Sequence, residues 1–161
     1  MRARNFLLWF LAVATPAAAQ RQSLGIFSLW GAFREGGRCY AVAEPDQASA
    51  AARGGRPFAS VSWAPGLRGQ LHVRLSRAKR SGSAVLLRIG DRTFQLIGGG
   101  DNAWAPDAAA DAEIVGAMRG NLDMTVETRS QTGALVRDHY ALRGAATAID
   151  AAAIGCAPRP R

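Results

Sequence analysis

The chain has few of the residues that carry chemistry. It holds two histidines, His72 and His139, and two cysteines, Cys39 and Cys156. Two imidazoles without a third ligand at recognisable spacing do not make a metal motif, and neither cysteine lies in a C-x-x-C pair. Asp138 stands beside His139, but neighbours on a strand point to opposite faces, which argues against a dyad there. A surface or rim position is the plainer reading of both histidines. No G-x-S-x-G elbow occurs, and Ser81-Gly82-Ser83 has the composition of a turn. Gly98-Gly99-Gly100 lacks the lysine and hydroxyl residue of a phosphate loop and reads as a flexible connection. No clustered acid pair is present. These absences count against hydrolase, metalloenzyme and nucleotide-binding chemistry, and no cofactor is implied.

An apolar run long enough to span a bilayer is also missing, since a spanning helix needs about 20 such residues. The opening MRARNFLLWFLAVATPAAAQ instead places Arg2 and Arg4 before a short apolar run from Phe6 to Ala14, then Pro16 and Ala17-Ala18-Ala19. That order reads as a secretory signal peptide over residues 1–19. Its removal leaves 142 of the 161 residues, about one domain, and lowers the formal charge from +8 to +6. A basic exported domain favours acidic partners: anionic lipid head groups, lipopolysaccharide, acidic glycans or nucleic acid.

The two cysteines fit the same compartment. An oxidising environment and a single connectivity predict a Cys39–Cys156 disulfide closing residues 20–161, with free cysteines as the alternative.

Taken in order, Leu24 to Phe33 and Arg38 to Ala43 are apolar runs, and Glu35-Gly36-Gly37 between them predicts a hairpin. Residues 46–56 have loop composition, with an alanine tract able to add a helical turn. Phe58 to Trp63 reads as a strand stopped by Ala64-Pro65-Gly66. From Gly69 to Arg77, Leu71, Val73 and Leu75 fall on one face and Gln70, His72, Arg74 and Ser76 on the other, as a half-buried antiparallel strand requires. Ala84 to Ile89 and Arg92 to Ile97, joined by Gly90-Asp91, give a second hairpin. Residues 101–106 read as a long crossing loop pinned by Trp104. Asp107 is placed to cap a helix through Arg119, with Gly120 as its C′ residue. Met124 to Arg129, a turn ending at Gly133, Ala134 to Leu142 and an alanine-rich helix complete the chain. Short, regularly spaced strands with one or two short helices near the C-terminus predict a mainly β protein, an antiparallel β-sandwich or flattened barrel, without repeat or second domain.

The candidate binding residues lie in Arg68 to Arg80: Arg68, His72, Arg74, Arg77, Lys79 and Arg80. Arginine offers a planar fork of donors to phosphate, sulfate or carboxylate, so a strand face and turn carrying these side chains would hold an acidic ligand. The bland alternative is a solvated strand face and turn. No aromatics interleave with these cations, which argues against single-stranded nucleic acid. Trp30, Trp63 and Trp104 are the residues that would line a carbohydrate groove, although such side chains serve more often as core anchors.

Phe27-x-x-Trp30, Ile114-x-x-Ala117-Met118-x-Gly120 followed by Met124-Thr125-Val126, and Tyr140-Ala-Leu142-Arg-Gly144 with Ala148 and Asp150 resemble the opening strand, the helix–turn–strand passage and the closing strand of the invasion-associated locus B family. Members of that family commonly place a cysteine just after the opening tryptophan, whereas here Gly31 to Gly37 has none. The resemblance implies an exported, mostly β protein of the cell envelope, linked in some members to host-cell invasion, and it transfers no catalytic residues.

The expectation is therefore a non-enzymatic periplasmic or cell-surface protein. Its basic face would bind an acidic envelope component, lipopolysaccharide or glycan, or a host or envelope protein, with peripheral membrane association open to it. The alternative is an envelope-acting enzyme or enzyme inhibitor with a Trp-lined groove and carboxylates such as Asp101, Asp107 or Glu113.

Overall fold

A computed structural model describes residues 20–48 and 56–158. The expected leader and most of the alanine tract lie outside the described residues. In chain order the elements are β1 (Gln22–Phe27), β2 (Trp30–Glu35), β3 (Arg38–Ala43), β4 (Gln47–Ala48), β5 (Phe58–Ala64), β6 (Leu67–Arg74), β7 (Val85–Ile89), β8 (Arg92–Gly99) and β9 (Asn102–Trp104). They are followed by α1 (Ala108–Gly120), β10 (Asp123–Arg129), β11 (Leu135–Ala141) and α2 (Ala145–Gly155). The chain is mainly β, as expected. Its strands form one antiparallel sheet in the order β1-β2-β3-β5-β6-β9-β8-β7-β10-β11-β4, which does not close.

β8 is where the sheet changes direction. Its first half, Arg92 to Leu96, pairs with β7, while Ile97 to Gly99 pair with β9. Two halves result, and they share one core: Ala41, Val61, Leu71 and Val73 from one side, Leu87, Ile89, Met124 and Tyr140 from the other. The Trp30 indole N–H donates to the Ala141 carbonyl at 3.0 Å, and the Ser76 amide to the Asp138 carboxylate at 2.8 Å, so polar bonds also join the halves. α2 packs against β1, β2, β3 and β5, and α1 chiefly against β6.

Local chemistry explains most element ends. The Asp107 carboxylate accepts from the Ala110 amide at 2.8 Å and starts α1. Gly120 is the last helical residue and not the C′ residue; Asn121 ends the helix in an extended conformation, its side-chain amide donating to the Ala117 carbonyl at 2.8 Å. That side chain satisfies a terminal carbonyl that a left-handed glycine would otherwise have served.

Two other expectations change. Leu24 to Phe33 is not one run but the hairpin β1–β2, reversed at Ser28-Leu29 with Ser28 at φ 57° and its hydroxyl accepting from Arg143 Nε at 2.9 Å. The stretch after Gly98 is not a crossing loop but the hairpin β8–β9. Gly98 is required there, because a Cβ would meet the Asn102 carbonyl oxygen at 2.1 Å.

The Cys39–Cys156 disulfide is present, with Cα atoms 5.7 Å apart. It ties β3 to the end of α2, which begins at Gly144 with φ 90° and carries no side-chain cap.

Candidate functional site

With α2, the core and the other half-sheet occupying the inner side, the outward residues of β2, β3, β5, β6 and β9 form a solvent-facing surface. Register sets it out in rows. Val42, Ser60, His72 and Trp104 lie opposite one another across four strands, and Tyr40, Ser62 and Gln70 form the adjacent row. The outward residues of β5 are thus small where their neighbours are large, apart from Phe58 at its start. The result is a groove of about 870 Å³ floored by Ser60 and Ser62 and walled by Tyr40, Phe58 and Trp104.

His72 is held on three sides. Its ring stacks on Trp104 with centroids 5.1 Å apart and planes at 7°, and meets Phe58 edge to face at 5.1 Å. Its Nε2 lies 2.8 Å from Asn102 Oδ1. Asn102 Nδ2 donates to one Asp101 carboxylate oxygen at 2.6 Å, and Arg74 pairs with the other at 3.2 Å. The chain Arg74–Asp101–Asn102–His72 fixes the orientation of the Trp104 platform.

At the opposite wall, Arg21 lies over the Phe33 ring at 4.1 Å and the Tyr40 ring at 5.6 Å, a cation–π arrangement. The Tyr40 hydroxyl donates to Glu35 at 3.1 Å. Burial, and then the bond to Glu35, raise the Tyr40 pKa, with Arg21 opposing, so the phenol is neutral at physiological pH. Arg21 and Arg38, both on the groove, make no ion pair among the described residues.

The sequence-predicted cations do not form one cluster. His72 and Arg74 share the outward face of β6. Arg68 is exposed at the start of that strand, beside Trp104 in one neighbouring depression and Trp63 in another. Arg77, Lys79 and Arg80 come after its other end. There the Lys79 amide donates to the Gly100 carbonyl at 2.7 Å and the Arg80 amide to the Arg129 carbonyl at 2.8 Å, which docks this segment on the β8–β9 turn and the end of β10.

The three tryptophans are likewise separated. Trp30 is wholly buried, Trp63 packs over Gly69 at the hairpin end, and Trp104 stands on the groove. Asp101 pairs with Arg74, Asp107 caps α1 and Glu113 pairs with Arg92, so these carboxylates have separate duties. His139 is bonded through Nδ1 to Asp46 at 2.7 Å where β4 meets β11, away from the groove.

Sequence reasoning missed Arg21, Arg38, Tyr40, Phe58, Ser60 and Ser62. The large–small alternation of Phe58 to Trp63 was visible, but which residues stand opposite depends on register across two hairpins. It also missed Asp111, a buried carboxylate accepting from the Leu71 amide at 2.7 Å, just beyond the reach of β9. Burial raises the Asp111 pKa most, the Leu71 bond opposes this, and Asp107 adds to it.

Comparison with family models, with curated proteins and with solved structures finds no match to this chain.

Proposed function

We propose that this chain is an exported, non-enzymatic binding protein of the cell envelope, of the invasion-associated type, which takes an acidic envelope or host component in the groove beside His72. The observation that carries the reading is the pairing of aromatic walls with Arg21 and Arg38, two guanidinium groups on the groove that make no ion pair among the described residues. Apolar faces and hydroxyls hold sugar rings, and arginine forks hold the carboxylate or phosphate attached to them. A signal-like leader and a disulfide suit the periplasm or cell surface. The enzymatic alternative depends on Trp30, Trp63 and Trp104 and on Asp101, Asp107 and Glu113, and the fold disperses both sets.

Co-sedimentation with lipopolysaccharide-bearing vesicles at about 0.05 M and about 0.5 M salt tests the reading. The wild type binds at low salt and is released at high salt. The double variant Arg21→Ala/Arg38→Ala loses most of that binding, while Arg77→Ala/Lys79→Ala/Arg80→Ala keeps it. Loss in the second variant with retention in the first would move the site to the turn after β6.

A further inference from the structure

The inner side of the sheet has a cavity of its own, built on one register row. Arg34 stands opposite Cys39, Cys39 opposite Trp63 and Trp63 opposite Arg68, across β2, β3, β5 and β6. Residues opposite one another on neighbouring strands share a face of the sheet. Cys39 is wholly buried, and its disulfide brings the end of α2 onto the middle of the row, so this face is the one turned away from the His72 groove. The cavity measures about 590 Å³ and is lined by Arg34, Trp63 and Arg68, by residues 64–67 of the β5–β6 turn, and by Cys156 and Pro158 at the end of α2. That volume lies within the range of about 300–1,000 Å³ usual for small-molecule sites.

The formal charge of the lining has one sign: two arginines and no carboxylate. Neither Arg34 nor Arg68 makes an ion pair among the described residues. Arg68 also borders the depression that holds Asp107 and Asp111, whereas Arg34 borders neither that depression nor the His72 groove. The C-terminus of α2 opposes the arginines with about half a unit of negative charge. Two of its carbonyls, those of Ala152 and Ile154, already accept from the Cys156 and Ala157 amides. The sequence after Pro158, Arg159-Pro160-Arg161, contains no acid.

Arg34 and Arg68 end the row with Cα atoms about 14 Å apart, three spacings of about 4.8 Å. Between them Trp63 is half-buried and rests over Gly69, its Cζ2 3.6 Å from where a Cβ would stand. From an aromatic surface set between two arginines in an acid-free lining, we infer that this cavity binds a small organic acid, with a flat apolar body on Trp63 and a carboxylate on Arg34. Arg34 is the less exposed of the two cations, so water screens its bond to a carboxylate less, and the planar fork matches the carboxylate geometry. Arg68 adds to the positive field at the exposed end. The site is separate from the groove to which an envelope or host component is assigned above, and it does not depend on that assignment.

Calorimetric titration of the purified protein with naphthoate at about 0.05 M salt tests the inference, with uncharged naphthamide and with acetate as controls. The indole N–H resonances of Trp63 and Trp104, followed in the same titration, report which face is occupied. Naphthoate is expected to bind at least about tenfold more tightly than either control, and to shift the Trp63 resonance but not that of Trp104. Arg34→Ala weakens naphthoate about tenfold and Arg68→Ala about threefold, while Arg21→Ala/Arg38→Ala leaves it unchanged. The resonances are read on the unaltered protein, so the test stands even where a variant fails to fold. Equal affinity for naphthamide or for acetate would overturn the inference, as would no binding of naphthoate at all. A shift of Trp104 with Trp63 unmoved, or loss in the Arg21/Arg38 variant with Arg34→Ala unchanged, would also overturn it, placing the acid in the groove and sparing the function proposed there.

Discussion

Opening the disulfide is the largest single perturbation that the structure specifies. Cys39 and Cys156 are 117 residues apart, and closing a loop of that length removes about 5 kcal/mol of chain entropy from the unfolded state at 25 °C. The native state has little to offset the loss. α2 buries Ala145, Ala148, Ile149 and Ala152, of which only Ile149 has a large side chain, and its start has no side-chain cap. The helix is thus held in part by its covalent end. The variant Cys39→Ala/Cys156→Ala is the suitable perturbation, since Cys39 is fully buried and serine there would leave a buried hydroxyl. With a urea m-value of about 2 kcal/mol/M, the midpoint falls by about 2.5 M. The corresponding fall in Tm is about 15 °C. Urea titrations followed by far-ultraviolet circular dichroism measure both the midpoint and m. A fall below about 0.5 M with unchanged m would refute the reasoning, because it would mean that β3 and α2 stay associated without the link.

The Asp111 carboxyl has a folded pKa above its ordinary 3.8, so the fold binds its proton more tightly than the unfolded chain does, and the stability associated with that proton is lost as pH rises through the folded value. Asp111→Asn keeps an oxygen for the Leu71 amide; urea midpoints across about pH 3 to 7 are expected to favour the variant increasingly as pH rises, and a constant difference would refute the assignment. Gly98→Ala drives a Cβ against the Asn102 carbonyl and is expected to cost about 2–4 kcal/mol, whereas Gly99→Ala, with nothing within 4 Å, changes stability by less than about 0.5 kcal/mol; chemical denaturation of both variants checks the contrast. Trp30→Phe gives up the bond to Ala141 inside the core and costs about 2–3 kcal/mol in the same assay. Trp104→Phe costs less than about 1 kcal/mol but weakens binding of acidic oligosaccharides in calorimetry, and equal effects of the two tryptophans on stability would count against a separate surface platform.

What could be read from the sequence was whatever depended on neighbours in the chain. The alternation through Leu71, Val73 and Leu75, the Gly90-Asp91 turn and the Asp107 cap involve residues a few positions apart, and each appears in the structure. The pairing of two cysteines followed from there being only two. The β1–β2 reversal was illegible because Ser28-Leu29 has no glycine, asparagine or proline to announce it. A run of three glycines in sequence does not distinguish a flexible link from close approach within a hairpin, which is what Gly98 serves. The basic stretch is spread out by the fold for a geometric reason. Arg68 and Arg74 are six residues apart on β6, about 20 Å at 3.3 Å per residue, so cations close in sequence are not all adjacent on the surface. Arg21 and Arg38, outside that stretch, stand on the groove instead.

The groove also shows how a sheet surface acquires concavity from its side chains. Ser60 and Ser62 point outward yet remain only 7% and 8% exposed, because larger side chains on β3, β6 and β9 overhang them. Concavity therefore comes from side-chain size on β5, beside the register shift between Ser62 and Trp63 at one end of the floor. Binding on such a surface depends on keeping the walls upright. The hydrogen-bonded chain from Arg74 to His72 does so for Trp104, and the stacked rings of His72 and Trp104 give that wall a rigid apolar side. His72 is thus a positioning residue. On the binding reading proposed above, its contribution comes through the flat ring and the bond to Asn102, while the guanidinium groups of Arg21 and Arg38 on the groove supply the charge. On that reading the two duties, platform and charge, fall to different side chains of one exposed face.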